Sequence, residues 1–258
     1  DYMVLAGTQG FHHHRKMDRL IEVAGRDRLP IVLFAEGGGG RPNDDDAGHI
    51  MAALLNVTSF RHFAAHRGPK IGIVAGYCFA GNAALFGVCD VRIATRKSWI
   101  GMGGPAMIEG GGLGSVPPTD VGPSDVQTKT GVIDLLAGDE AEAVAAAKAM
   151  LALHDQAQDP ETDTEALRTI VPVDRTRAYD MRAALNALAD PDTVIELRRD
   201  FGIGIVTAFA RIKGRGVGIL ANNPLHLGGA IDAEAADSAA RFLQLCDAWG
   251  LPVVTLCD

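Results

Sequence analysis

Two glycine-rich turns are the parts of this sequence best suited to hold a reacting group. The first, FAEGGGGRP from Phe34 to Pro42, follows a run typical of a buried strand and precedes a helical stretch. The second, GYCFAGNAAL from Gly76 to Leu85, has the same order of strand, small-residue turn and helix. Residues without a Cβ leave backbone N–H groups open to a ligand, and the start of a helix carries partial positive charge. If the two turns met, they would supply converging donors for a developing oxyanion, such as a thioester oxygen becoming an enolate. Each such donor contributes about 2.7–4 kcal/mol. Two tight turns of an ordinary α/β sheet would carry the same residues, so pattern alone leaves both readings open.

Other chemical signatures are weaker. The chain has no G-x-S-x-G, no G-x-x-x-x-G-K-[ST] and no well-placed G-x-G-x-x-G, which weakens the case for a hydrolase triad or P-loop chemistry. His12, His13 and His14 are adjacent, so their side chains diverge, and no carboxylate or cysteine stands at ligand spacing; they read as solvated or locally hydrogen-bonded, and no metal is expected. Asp44, Asp45 and Asp46 read as an exposed face or a helix start.

The elements that must position these turns alternate in α/β order. Strands are predicted at Val4–Ala6, Ile31–Ala35, Ile71–Ala75, Asp90–Ala94, Ile205–Ile212, Val217–Ala221 and Val253–Leu256. Helices are predicted near Met17–Ala24, Ala47–Ala65, Gly81–Phe86 and Ala141–Leu153. Residues 101–123 form a Gly/Pro-rich loop region, and the polar stretch 154–177 reads as a linker.

The two ends of the chain also resemble each other. RLPIVLFAE matches GLPVVTLCD with Leu29 on Leu251, an offset of 222 residues. At that offset Arg19 falls on Arg241, Leu20 on Phe242 and Val23 on Leu245, which predicts a preceding helix in the same apolar phase. The strand before it, Val4–Ala6, aligns with Ile219–Ala221 if about seven extra residues are allowed. The counterpart of Gly37 would then fall one residue past Asp258, and with the apolar run Val253–Leu256 so near the last residue the sequence reads as a fragment.

Composition bounds the class. The 258 residues are 47% hydrophobic and carry a formal charge of −8, which suits a folded α/β protein and argues against a general nucleic-acid coat. No run approaches the roughly 20 apolar residues of a membrane span, and the start lacks a basic-then-apolar signal pattern, so a cytoplasmic location is expected. Cys78, Cys89, Cys246 and Cys257 lack disulfide or zinc spacing and read as buried thiols.

Taken in order, VLAGTQG, HRKMDR, LPIVLFAEGGGGRP, GYCFAGNAAL, IGMGGPAMIEGGGLG and GPSDVQTKTGVIDLL resemble the N-terminal half of biotin-dependent acyl-CoA carboxyltransferases, a branch of the crotonase superfamily. RAYDMRAALNALAD, FGIGIVTAFARIKGRGVGILANNP and LGGAIDAEAADSAARFLQLCDAWGLPVVTLCD resemble the linker and the opening of that family's C-terminal half. The resemblance implies a crotonase-like ββα spiral: a nearly complete acyl-CoA domain over 1–153, a linker over 154–177, and the opening of a duplicated biotin domain over 178–258. It also accounts for the internal repeat.

The implied reaction moves a carboxyl group from carboxybiotin to the α-carbon of an acyl-CoA. Carboxybiotin releases CO2, the ureido nitrogen removes the α-proton, and the enolate attacks CO2, so no side-chain nucleophile is needed. By position in the motifs, Gly38 with Gly39 and Ala80 with Gly81 would hold the thioester oxyanion. Arg15, Lys16, Arg19 and Arg41 are candidates for CoA phosphates, although exposed helix cations would look the same. Biotin would arrive on a carboxyl carrier loaded by a biotin carboxylase, and a homo-oligomer is implied. Enoyl-CoA hydratases and isomerases share the fold, but Ala84 stands where their catalytic glutamate would be. A biotin-dependent decarboxylase and a non-catalytic assembly piece are the remaining alternatives.

Overall fold

The computed structural model describes residues 2–41, 57–157, 160, 165–174 and 176–258. It forms two compact units, Asp1–Gln127 with Leu136–Val144, and Thr128–Leu135 with Ala145–Asp258.

In chain order the described elements are α1 (Phe11–Asp27), β1 (Ile31–Phe34), α2 (Ser59–Ala65), β2 (Lys70–Val74), β3 (Tyr77–Phe79), α3 (Gly81–Val88), β4 (Val91–Thr95), β5 (Trp99–Gly101), α4 (Pro105–Gly110), α5 (Ser124–Lys129), β6 (Leu135–Ala137), α6 (Glu140–Leu151), α7 (Leu167–Ile170), α8 (Met181–Leu188), β7 (Ile195–Leu197), β8 (Ile205–Ile212), β9 (Arg215–Asn222), α9 (Ala233–Trp249) and β10 (Val253–Leu256).

The first unit winds as a spiral. A longer strand joins one sheet, ordered β1-β2-β4-β6, and a short strand after it joins a second sheet, where β3 pairs with β5. A helix closes the turn, giving β2-β3-α3 and then β4-β5-α4. The pairs β1–β2, β2–β4 and β3–β5 are parallel, and isolated bridges Gly37–Cys78 and Trp99–Pro123 widen the second layer. All five residues of both β2 and β4 are buried, as in a parallel sheet covered on both faces.

The second unit pairs β7, β8 and β9 antiparallel and adds β10 parallel to β9. Helix α8 supplies Met181 and Leu185 to a core with Val206, Ala208, Ala210 and Ile219. Phe209 stacks on Trp249 of α9 at 5.3 Å between ring centroids.

The internal repeat extends further than the sequence match. Helices α1 and α9 each have 17 residues and begin and end at positions offset by 222, as do β1 and β10. Each helix stops at a left-handed residue, Arg28 or Gly250. The next N–H then bonds back, Leu29 N to Ala24 O at 2.8 Å and Leu251 N to Cys246 O at 2.9 Å.

The predicted strand Val4–Ala6 is a correction. Leu5, Ala6 and Gly7 have φ of 49°, 54° and 64°, and three left-handed residues in a row cannot continue a pleated strand. They form a single turn, and its counterpart at the same offset is Leu227–Gly229, with φ of 47°, 64° and 87°; Ile219–Ala221 lies in β9. No extra residues are needed.

The apolar phase of the two helices also differs. Leu20 is 60% exposed where Phe242 is 3% exposed, while Ile21 is buried. Ile21 packs in a cluster with Phe63 of α2, whereas α9 turns Phe242 onto Phe209 of β8. Partner geometry rotated the buried stripe by one residue.

The predicted loop region 101–123 contains α4, and the expected linker contains α7. Cys78, Cys89 and Cys246 are buried as expected, but Cys257 is exposed. The aspartate run 44–46, Pro42 and the start of the predicted helix at Ala47 lie outside the described residues. No described helix is long and apolar enough to cross a membrane.

Candidate active site

Strand β1 ends at Phe34 and the chain enters the glycine run. Gly37 has φ of 118°, and a Cβ there would sit 2.4 Å from Gly7 O, so glycine is required. Its N–H donates to Tyr77 O at 2.7 Å, and its carbonyl accepts from Phe79 N at 2.9 Å. These bonds zip the first turn to the strand that leads into the second.

The two turns converge. A Cβ built on Gly39 (φ 86°) would meet Ala80 Cβ at 2.6 Å and Gly81 N at 2.8 Å. Ala80 itself has φ of 49° and ψ of −119°, a conformation L residues rarely adopt, immediately before the first residue of α3.

The four proposed oxyanion residues divide by what their N–H groups already do. Gly38 N donates to Ala6 O at 2.9 Å, and Ala80 N donates to Gly101 O at 3.0 Å. Gly39 and Gly81 have no N–H partner among the described residues. Gly39 is buried and Gly81 half-buried; an unpaired N–H is rare at a buried position such as Gly39, while Gly81 heads α3, where the first N–H has no partner within the helix and stays open to a ligand.

Two side chains that sequence reasoning passed over brace this arrangement. Asn82 and Gln9 are 5% and 3% exposed. Asn82 Nδ2 donates to Gly7 O at 3.2 Å and Glu36 O at 3.0 Å, while Asn82 Oδ1 accepts from Gln9 Nε2 at 2.6 Å. A polar Asn directly after Gly81 in an otherwise apolar helix start was the available signal.

The candidate CoA contacts are not gathered at one point. Arg15, Lys16 and Arg19 are exposed on α1, and Arg19 pairs with Glu22 at 2.8 Å. Arg41 is already engaged, its guanidinium donating to Thr8 O at 3.1 Å and Thr8 Oγ1 at 3.2 Å.

His14 is buried against Ser59 Oγ at 2.6 Å, and no group of three or more His, Cys, Asp or Glu is placed to hold a metal ion among the described residues. Burial, aided by nearby Cys89 and Glu36, pushes the Cys78 thiol far above its ordinary value, so it stays protonated at neutral pH.

The profile of the carboxyl transferase domain matches residues 1–258. The chain belongs to this family. The chain is 31% identical over its whole length to the biotin-dependent acetyl-/propionyl-coenzyme A carboxylase beta6 subunit of Mycobacterium tuberculosis, covering 56% of that protein. It is 30% identical to the methylmalonyl-CoA carboxyltransferase 12S subunit of Propionibacterium freudenreichii subsp. shermanii, covering 51% of it.

Among solved structures, a single-chain, multi-domain long-chain acyl-CoA carboxylase matches all of this chain with a TM-score of 0.92 and 55% identity, over 26% of its own chain. The transcarboxylase 12S hexamer, solved with hydrolysed methylmalonyl-coenzyme A, matches with a TM-score of 0.85 and 28% identity, over 53% of its chain. The domain thus spans about half the length of its curated relatives. The crotonase-like reading of the α/β fold agrees with these structures.

Proposed function

We propose that this domain takes part in carboxyl transfer from carboxybiotin to the α-carbon of an acyl-CoA, with Gly39 N–H and Gly81 N–H holding the thioester oxygen as it gains enolate charge. The observation that carries the reading is the pair of N–H groups on adjacent turns that have no partner among the described residues. Gly38 and Ala80 act beside them, spending their own N–H groups on Ala6 and Gly101 to hold the turns in shape. Donors already aimed at the oxygen need no reorganisation when charge develops, and two of them supply several kcal/mol of the barrier reduction. Delivered on a carrier by a partner, biotin supplies the carboxyl group.

The same proposal assigns residues 1–153 to acyl-CoA, 154–177 to a connection and 178–258 to the opening of a biotin-facing half. The exposed cations Arg15, Lys16 and Arg19 are offered as CoA phosphate contacts, with Arg41 bracing the glycine turn through Thr8. A homo-oligomer working with a biotin carboxyl carrier and biotin carboxylase, in the cytoplasm, completes it.

The test uses the full-length enzyme. Gly81→Pro deletes the N–H at the first position of α3, where proline suits the helix itself. Carboxyl transfer to acetyl-, propionyl- or long-chain acyl-CoA should fall by at least about 10²-fold, while carboxylation of the carrier continues and the melting temperature shows a folded protein. Unchanged transfer by a folded variant would remove Gly81 from the site.

A further inference from the structure

Asn82 occupies an unusual place: its backbone follows the donor Gly81, while its side chain reaches to the strand end that launches the other donor. We propose that Asn82, seated by Gln9, is the positioning residue that sets the spacing of the two donor N–H groups. The proposal rests on the reading of Gly39 and Gly81 as those donors.

The side-chain amide is fully committed. Both hydrogens of Nδ2 are used, one on Glu36 O at 3.0 Å and one on Gly7 O at 3.2 Å, and Oδ1 takes the Gln9 amide at 2.6 Å. Glu36 directly precedes the glycine run, so holding its carbonyl fixes where that run begins. Gln9 closes the loop from the far side: its backbone N–H donates to Gly39 O at 2.6 Å and its carbonyl accepts from Arg41 N at 2.8 Å. A Cβ built on Gly81 would lie 3.0 Å from Gln9 Oε1. Gln9 therefore touches Gly39 with its backbone and lies beside Gly81 with its side chain, and Asn82 joins the two ends.

The second unit separates the general part of this device from the special part. There Asn222 Nδ2 donates to Asp258 O at 3.0 Å and Gly229 O at 3.4 Å. Asp258 and Gly229 are the repeat counterparts of Glu36 and Gly7. An asparagine thus bridges the same two carbonyls in both copies. It comes from the end of β9 in one and the first turn of α3 in the other. Only Asn82 ties that bridge to a helix whose first N–H is a donor, and only an amide offers two hydrogens and one acceptor at this point.

The experiment compares Asn82→Ala, Asn82→Asp, Gln9→Ala and Gly81→Pro in the full-length enzyme. The readouts are kcat and KM for acyl-CoA, melting temperature, and the thioester carbonyl stretch of bound acetyl-CoA labelled with carbon-13 at that carbonyl. A displacement of one donor by about 1 Å costs on the order of 10²-fold in rate. Asn82→Ala and Asn82→Asp should therefore lower kcat roughly 10- to 100-fold while KM changes by less than about threefold, and the carbonyl stretch should move toward its value in water. Gln9→Ala should shift both readouts the same way by less, and the Gln9→Ala, Asn82→Ala double variant should be no worse than Asn82→Ala alone.

Loss of melting temperature with kcat and the carbonyl stretch intact would make Asn82 merely structural and overturn the proposal. If both Asn82 variants fail to fold, Gln9→Ala decides: an unshifted stretch and wild-type kcat overturn it. Gly81→Pro separates the two readings. If that variant keeps the wild-type stretch and rate, the donor assignment fails; if it loses both while Asn82→Ala keeps both, the positioning role alone fails.

Discussion

Four successive glycines look alike in a sequence, yet Gly37 to Gly40 carry four different constraints. Gly37 cannot bear a Cβ because Gly7 lies against it, Gly38 spends its N–H on Ala6, and Gly39 faces Ala80 and Gly81, whereas Gly40 has no atom of the described residues within 4 Å of the place a Cβ would take. Gly39→Ala would combine a left-handed φ with a contact of 2.6 Å to Ala80 Cβ. The expected outcome is a loss of transfer of at least about 10²-fold, because the donor pair can no longer close on one oxygen. Gly40→Ala is the stability control: melting temperature should hold or rise slightly, since alanine narrows the unfolded ensemble at no steric cost. Equal damage from the two substitutions, measured by thermal melting and steady-state transfer, would contradict the assignment of Gly39 to the contact between the turns. The glycine run itself was legible in the sequence. Which of its N–H groups lack a partner among the described residues was not, because the partners of Gly37 and Gly38, Tyr77 and Ala6, lie in other segments of the chain.

At the scale of elements, the repeated left-handed turn offers its own comparison. Ala6 sits at φ 54° where the second copy has Gly228 at φ 64°, with nothing within 4 Å of a Cβ there. Gly228→Ala should therefore fold, at a cost of about 1–2 kcal/mol for an L residue in the left-handed region. Gly229→Ala differs, because its Cβ would meet Asn222 Nδ2 at 2.8 Å and disturb the bridge to Asp258. Denaturant unfolding should show Gly229→Ala to be the more destabilised of the two; the reverse order would mean that the Asn222 bridge does not hold the turn. The short strands β3, β5 and β7, each three residues long, escaped the sequence reading because three residues hold too little alternation to distinguish a strand from a loop. The long buried strands β2, β4 and β8 were legible through their unbroken apolar runs.

Across the whole molecule, the second compact unit takes in residues 128–135, which the chain order separates from the rest of it. Arg198 pins that segment: its Nε donates to Asp134 Oδ1 at 2.8 Å, its Nη2 to Gly131 O at 3.1 Å, and its backbone N–H to Asp134 O at 2.7 Å. Both side chains of the pair are nearly buried, at 10% and 5% exposure. Removing Arg198 takes away the shortest ion pair of the buried Asp134 and leaves Arg241 at 3.9 Å, so Arg198→Ala should cost about 3 kcal/mol, the low end for breaking a buried pair. Hydrogen exchange should then accelerate at β8 and β9 amides more than at β2 and β4 amides. Uniform acceleration would show that the chain unfolds as one cooperative body and that the pair belongs to both units alike.

The amino-acid sequence determined the α/β alternation, the glycine turns, the family motifs and the repeat around RLPIVLFAE and GLPVVTLCD, because each is written in neighbouring residues whose propensity and pattern act locally. The tertiary structure decided that Leu5–Gly7 is a left-handed turn, that α1 buries Ile21 instead of Leu20, that Gly38 and Ala80 spend their N–H groups on Ala6 and Gly101 while Gly39 and Gly81 have no N–H partner among the described residues, and that Asn82 and Gln9 join the two turns. Those outcomes depend on partners tens of residues away, where hydrogen bonding and packing between distant segments choose among conformations that the local sequence leaves nearly equal in energy.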